Sequence, residues 1–157
     1  MIRLAFYIGA GRVDDRVIRW VTRSPFSHVE LVAPDGRAIS SSGRDGGVRW
    51  ADIDFRSGRW TLVAVPWAPA DTLERIAEHL GARYDFAGLL GAQVVNLRRG
   101  DPRRWFCSEI CAHALGMASP SRYAPGDLYT ATMERNAIFE LDRSRAGKPP
   151  EESRGLG

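Results

Sequence analysis

Pro34-Asp35-Gly36 lies between two short runs of strand-forming residues, Phe26 to Ala33 and Arg37 to Ser42, and commits this part of the chain to an antiparallel hairpin. With Asp35-Gly36 as a two-residue turn, Ala33 faces Ala38, Val32 faces Ile39, Leu31 faces Ser40 and Glu30 faces Ser41. Side chains alternate with a period of two, so His28, Glu30 and Ser41 fall on one face. A slip of one residue exchanges Ser41 for Ser40 or Ser42.

The hairpin has company. Ile2 to Ile8 reads as a first strand closed by Gly9-Ala10-Gly11, and Val48 to Ile53 as an extended segment after a glycine-rich loop. Thr61 to Val65 is almost wholly apolar, which places it in the centre of a sheet, and Pro66 ends it. Helical periodicity marks Asp14 to Arg23, with Val17, Ile18 and Val21 on one face. It marks Asp71 to Leu80 as well, where Asp71-x-x-Glu74 is a start signal and His79 falls off the apolar stripe towards solvent. Tyr84 to Val95 reads as a second, more buried helix, and Asn96 to Arg104 as a basic connection. Beyond a proline-containing loop, Asp127 to Arg135 is expected as a short helix and Ala137 to Leu141 as a last strand. The sum is an α+β domain over residues 1–142, a small antiparallel sheet flanked by helices. Residues 143–157 have almost no apolar side chains and read as a disordered tail.

With 157 residues and 44% hydrophobic content, one core is affordable and nothing suggests a second domain. The net charge of +3 comes from scattered arginines, without the dense basic face that grips nucleic acid. No apolar run reaches the roughly 20 residues of a membrane span, and the start lacks the marks of a leader, so a cytoplasmic location is expected, with leaderless export as the other route.

Chemistry concentrates in Trp105 to Gly116. Residues 107, 110, 111, 114 and 115 are small or apolar at helical spacing, which puts Cys107 in the first turn of a helix. Unpaired backbone N–H groups and the positive end of the helix dipole favour a thiolate there. A free thiol is only about 3% ionised at neutral pH, so a nucleophilic cysteine needs such help, and a histidine is the natural second helper. Cys107 and Cys111 are one turn apart, poor geometry for a disulfide, and Cys111 reads as a small core residue. The spacing C-x3-C-x-H fits no common zinc pattern, and no metal or cofactor is expected. His79 and His113 read as surface or flank residues.

Phe26-Ser27-His28-Val29-Glu30-Leu31-Val32, Gly81 to Leu90, Trp105-Phe106-Cys107-Ser108-Glu109-Ile110 and Tyr123 to Leu128 together resemble the circularly permuted branch of the papain-like, NlpC-type cysteine peptidases and amidases. In that branch the histidine strand precedes the cysteine helix. The resemblance spans roughly residues 2 to 135. It implies a permuted papain-like fold, Cys107 as nucleophile and His28 as general base. The orienting third residue is expected from the strand after the histidine. Members often carry glutamate or histidine there; this chain has Ser40-Ser41-Ser42, which leaves Ser41 or, from the histidine strand itself, Glu30. The implied activity is hydrolysis of an amide bond, with peptidoglycan peptides as the first substrate class, through a thioester. Trp105 and Phe106, beside the nucleophile, are expected to line the substrate cleft. Two alternatives stand beside it: an acyltransferase or lipid hydrolase using the same pair on an acyl substrate, and a non-catalytic binding module with a weakened triad.

Overall fold

A computed structural model of the chain describes residues 1–9, 13–85 and 104–146. Its elements run β1 (Arg3–Tyr7), α1 (Val13–Thr22), β2 (His28–Val32), β3 (Ala38–Ser42), β4 (Gly47–Ala51), β5 (Trp60–Ala64), α2 (Thr72–Ala77), β6 (Arg83–Tyr84), β7 (Arg104–Trp105), α3 (Cys107–Ala114) and α4 (Pro125–Ala146), with a 3-10 turn at Pro120–Arg122. The strands form one sheet in the order β5-β1-β2-β3-β4-β6-β7. Only β6 and β7 pair in parallel. The protein is α+β, as its sequence indicates.

The hairpin forms, one residue out of the expected register. Leu31 pairs with Ile39 and Val32 with Ala38. The cause is the turn: Gly36 N–H donates to Ala33 O at 3.0 Å, Ala33 N–H donates to Arg37 O at 2.9 Å, and Gly36 has φ +95°. Pro34-Asp35-Gly36 is therefore a three-residue loop, a tight turn followed by a left-handed glycine, rather than a two-residue turn. Farther along, Ser40 Oγ donates to Val29 O at 2.8 Å, so a side chain satisfies a strand carbonyl there.

There are three further differences. β5 is an edge strand, not a central one, with Leu62 exposed at its middle. At its end, Asn136 of α4 donates from Nδ2 to Ala64 O at 2.8 Å and accepts at Oδ1 from Trp67 Nε1 at 2.7 Å. The expected helix Asp127 to Arg135 and strand Ala137 to Leu141 are one 22-residue helix, α4, which runs on to Ala146. No proline or glycine interrupts residues 127–146, so nothing stops the helix once started. Tyr84 belongs to β6 and Asp85 follows it without helical structure, while residues 86–95 of the expected helix lie outside the described residues.

The core joins Leu4, Phe6, Val29, Leu31 and Ile39 of the sheet to Ile110, Cys111 and Ala114 of α3, Leu115 just after it and Leu128 of α4. α3 packs on β2 and β3, and its small buried side chains Cys107, Ser108, Cys111 and Ala112 let it lie close to them. Phe6, Phe26 and Tyr129 form a ring cluster with centroids 4.7 to 5.2 Å apart that pins the start of α4. At the other side of the sheet, Gly47 leaves room for the Ala82 carbonyl, which a Cβ would overlap. Among the described residues, no helix is long and apolar enough to cross a membrane.

Candidate active site

His28 opens β2 and Glu30 follows two positions later, so strand alternation turns both side chains the same way. Glu30 Oε1 lies 2.7 Å from His28 Nε2. The Glu30 side chain is 1% exposed, and a carboxylate so buried needs more than one partner. Arg49 on β4 supplies them. Its Nη1 donates to Glu30 Oε2 at 2.9 Å and its Nη2 to Oε1 at 2.8 Å, a two-pronged clamp. Arg49 Nε in turn donates to Asp45 Oδ2 at 2.6 Å. Asp45, Arg49, Glu30 and His28 thus form a chain of alternating charge.

Cys107 is the first residue of α3. Burial works against a charge on His28, but the Cys107 sulfur and the Glu30 carboxylate, each also hydrogen-bonded to the ring, outweigh it and push the imidazole up to about 10. With Nε2 engaged by Glu30, Nδ1 is the ring nitrogen left for sulfur. Burial raises the Glu30 carboxyl, while His28 and Arg49 more than offset it and hold it below the ordinary carboxylate range. His28 is therefore an imidazolium at neutral pH, between a fixed carboxylate and a cysteine.

The helix under that cysteine is capped from within. The Glu109 carboxylate, at the third helical position, accepts from the Phe106 N–H, the return arm of a capping box. Burial raises the Glu109 carboxyl; the Phe106 bond opposes this, Asp85 adds to it, and the result is about 7.

Comparison with protein-family models and with curated proteins finds no match for this chain. The site is read on its geometry. That geometry brings Cys107, His28 and Glu30 together and leaves Ser41 apart: Ser41 Oγ donates to Trp105 O at 2.6 Å instead. The register slip separates them, since continuing the observed ladder puts Ser40 rather than Ser41 opposite Glu30. Ser40 is in turn the register partner of Arg49, which explains how an arginine two strands away reaches the carboxylate. Phe106 is 2% exposed and belongs to the interior. Trp105 is half-buried against two histidine rings, His79 at 4.6 Å and His113 at 5.0 Å between centroids. Cys111 is fully buried, with its thiol 3.9 Å from Ser40 Oγ, and burial pushes its pKa well up.

A cavity of about 440 Å³ opens beside His28 and Glu30. Tyr7 and Trp60 give it aromatic wall, and Arg44, Arg59, Asp52 and Asp54 give it charge of both signs. Ser27 also lines it, and the buried Ser27 Oγ has no hydrogen-bond partner among the described residues. Cys107, 1% exposed, and Trp105 are not in its lining. Arg49, Asp45 and Ser27 escaped the sequence reading. Pairing Gly47–Ala51 back onto Ala38–Ser42 is the one signal that finds Arg49; Asp45 and Ser27 carry none. Among the described residues, no group of three or more His, Cys, Asp or Glu is placed to hold a metal ion.

Proposed function

We propose that the chain is a cysteine hydrolase of the permuted papain-like kind, acting on an amide bond. The observation that carries this reading is the Cys107–His28–Glu30 constellation, in which one histidine is shared between a helix-start cysteine and a buried carboxylate clamped by Arg49. The sulfur attacks the carbonyl carbon as thiolate, with the protonated His28 beside it. The oxyanion takes a hydrogen bond from the Cys107 N–H, one of the donors a helix start leaves unpaired. Collapse breaks the C–N bond as His28 gives its proton to the departing amine, leaving a thioester. Water, deprotonated by His28, then cleaves the thioester and frees the acid and the thiol.

Ser27 Oγ and the mixed-charge rim favour a polar peptide over a fatty acyl chain, and so favour the amidase over a lipid hydrolase or acyltransferase. Peptidoglycan peptides are one substrate of that description. Because Cys107 is buried, turnover requires a movement that uncovers the sulfur. That same burial supports the second reading, a peptide-binding module that keeps the constellation without using it. The test is a burst assay with activated esters and peptide anilides, followed by mass analysis of the Cys107 peptide. Acylation of Cys107, lost together with turnover in Cys107→Ala and His28→Ala and kept in Cys111→Ser, is the expected result. Unchanged turnover in Cys107→Ala ends the hydrolase reading; peptide binding without acylation selects the module.

A further inference from the structure

We propose that His79 and His113 form a binding site for a divalent transition metal of the zinc class. The two residues are 34 positions apart in sequence, and their Nε2 atoms are 3.4 Å apart. That is long for an N–H···N hydrogen bond, whose usual separation is about 3 Å. It is the separation expected of two ligands on one ion: tetrahedral coordination with metal–nitrogen bonds of about 2.05 Å sets the nitrogens about 3.3 Å apart. The same construction, with both ring axes converging on the metal, sets the imidazole centres about 5.2 Å apart. The observed centroids are 5.2 Å apart, with the rings inclined at 68°. Two independent lengths therefore agree with convergence on a single point.

The surroundings suit a cation. Metal ligation uses the neutral imidazole, and the two Nε2 atoms already face each other across the gap an ion would fill. Arg75, the nearby positive charge, is tied to Asp71 at 2.8 Å. Glu78, exposed nearby, supplies negative field. The Trp105 ring packs against both imidazoles and fixes their tilt, as outer contacts do for metal-bound histidines. Imidazole nitrogens select zinc, nickel and copper over magnesium or calcium. A bound ion ties the segment after α2 to the last turn of α3, the helix that starts with Cys107, and does so whether or not that cysteine is a nucleophile.

The test is calorimetric titration of the full chain with zinc chloride and with nickel chloride at pH 7.5, repeated on Cys107→Ser because a thiol beside His28 is a competing zinc ligand. Expected are one equivalent bound by both proteins and at least a tenfold rise in dissociation constant in His79→Ala and in His113→Ala. Trp105 reports independently: nickel quenches part of the tryptophan fluorescence, and Trp105→Phe removes that part. His79 lies outside the helices and is half exposed, so His79→Ala tests the site even if His113→Ala does not fold. Binding that is unchanged in His79→Ala, that vanishes in Cys107→Ser, or that is absent at 1 mM metal overturns the proposal.

Discussion

His28 and His113 are both tied to α3, one facing its first residue and the other in its last turn, and their surroundings drive them in opposite directions. Both lose water. At His28 a buried carboxylate and a sulfur more than compensate, and the ring holds its proton up to about 10. At His113 burial comes first, His79 and Arg75 reinforce it, and only Glu78 opposes, so the ring gives up its proton below the ordinary value. Burial alone therefore does not set the state of a histidine; the sign of the nearest fixed charge does. Under the two proposals, one ring transfers a proton and the other offers a lone pair.

The largest effect separates the two by activity. On the proposed hydrolase reading, His28→Ala should lower the hydrolytic rate by at least about 10³-fold, the usual worth of a general base together with the nucleophile it activates. His113→Ala, assayed without added metal, should change it by less than about threefold. Alkylation by iodoacetamide at pH 6 gives the parallel readout at Cys107. Equal losses in both variants would show that α3 responds as one unit and erase the distinction.

Next comes stability, through the arginine attached to each centre. Arg49→Leu leaves the buried Glu30 facing His28 without its clamp, and removing one partner of a buried pair typically costs about 3–5 kcal/mol. Arg75→Leu breaks only the half-exposed pair with Asp71, worth less than about 1 kcal/mol. Urea unfolding of the two variants measures the difference. Similar midpoints would mean that Glu30 is less dependent on Arg49 than its burial implies.

How much of these two centres is legible in sequence follows from how each is built. His28 and Glu30 are two residues apart on one strand, so alternation alone puts them together, and the helical spacing around Cys107 places that thiol at a helix start. Arg49 depends on register across three strands, and one left-handed glycine in the Pro34-Asp35-Gly36 loop shifts that register. Ser41 goes to Trp105 for the same reason. The His79–His113–Trp105 cluster depends on how α2 lies against α3, which no local pattern encodes. The length of α4 was open to a reading based on the absence of breakers, whereas the edge position of β5 was not, because its almost wholly apolar run Thr61 to Val65 reads like that of a central strand.

The pH dependence of stability tests the His28 half of the comparison at moderate amplitude. Its pKa is raised on folding, so its contribution is fully present below the unfolded value of about 6.5 and is lost as pH rises through about 10. His28→Gln should therefore be less stable than wild type at pH 6 to 7 by roughly 2–4 kcal/mol and approach it above pH 10. Chemical denaturation across that range measures the gap, and a gap that does not close on the alkaline side would contradict an imidazolium in the folded state.

The smallest effect lies at acid pH, where His113 and Glu109 act with opposite sign from the same helix. His113 has a lowered pKa, so the folded protein binds fewer protons there than the unfolded chain, and stability falls as pH drops below about 6.5. Glu109, raised to about 7, binds its proton more tightly in the folded state, so its contribution is present below the unfolded value near 4.5 and fades as pH rises to about 7. In wild type the two slopes partly cancel between pH 4.5 and 6.5. In the presence of a chelator, His113→Gln should remove the acid loss and leave a protein whose Tm falls as pH rises through this window. Glu109→Gln should do the reverse, its Tm climbing with pH. Each change is expected to be a few degrees, because one ring is half exposed and the other group is a cap already hydrogen-bonded to Phe106. Slopes of the same sign in the two variants would show that one of these assignments is inverted, and the variant that fails to change slope identifies which.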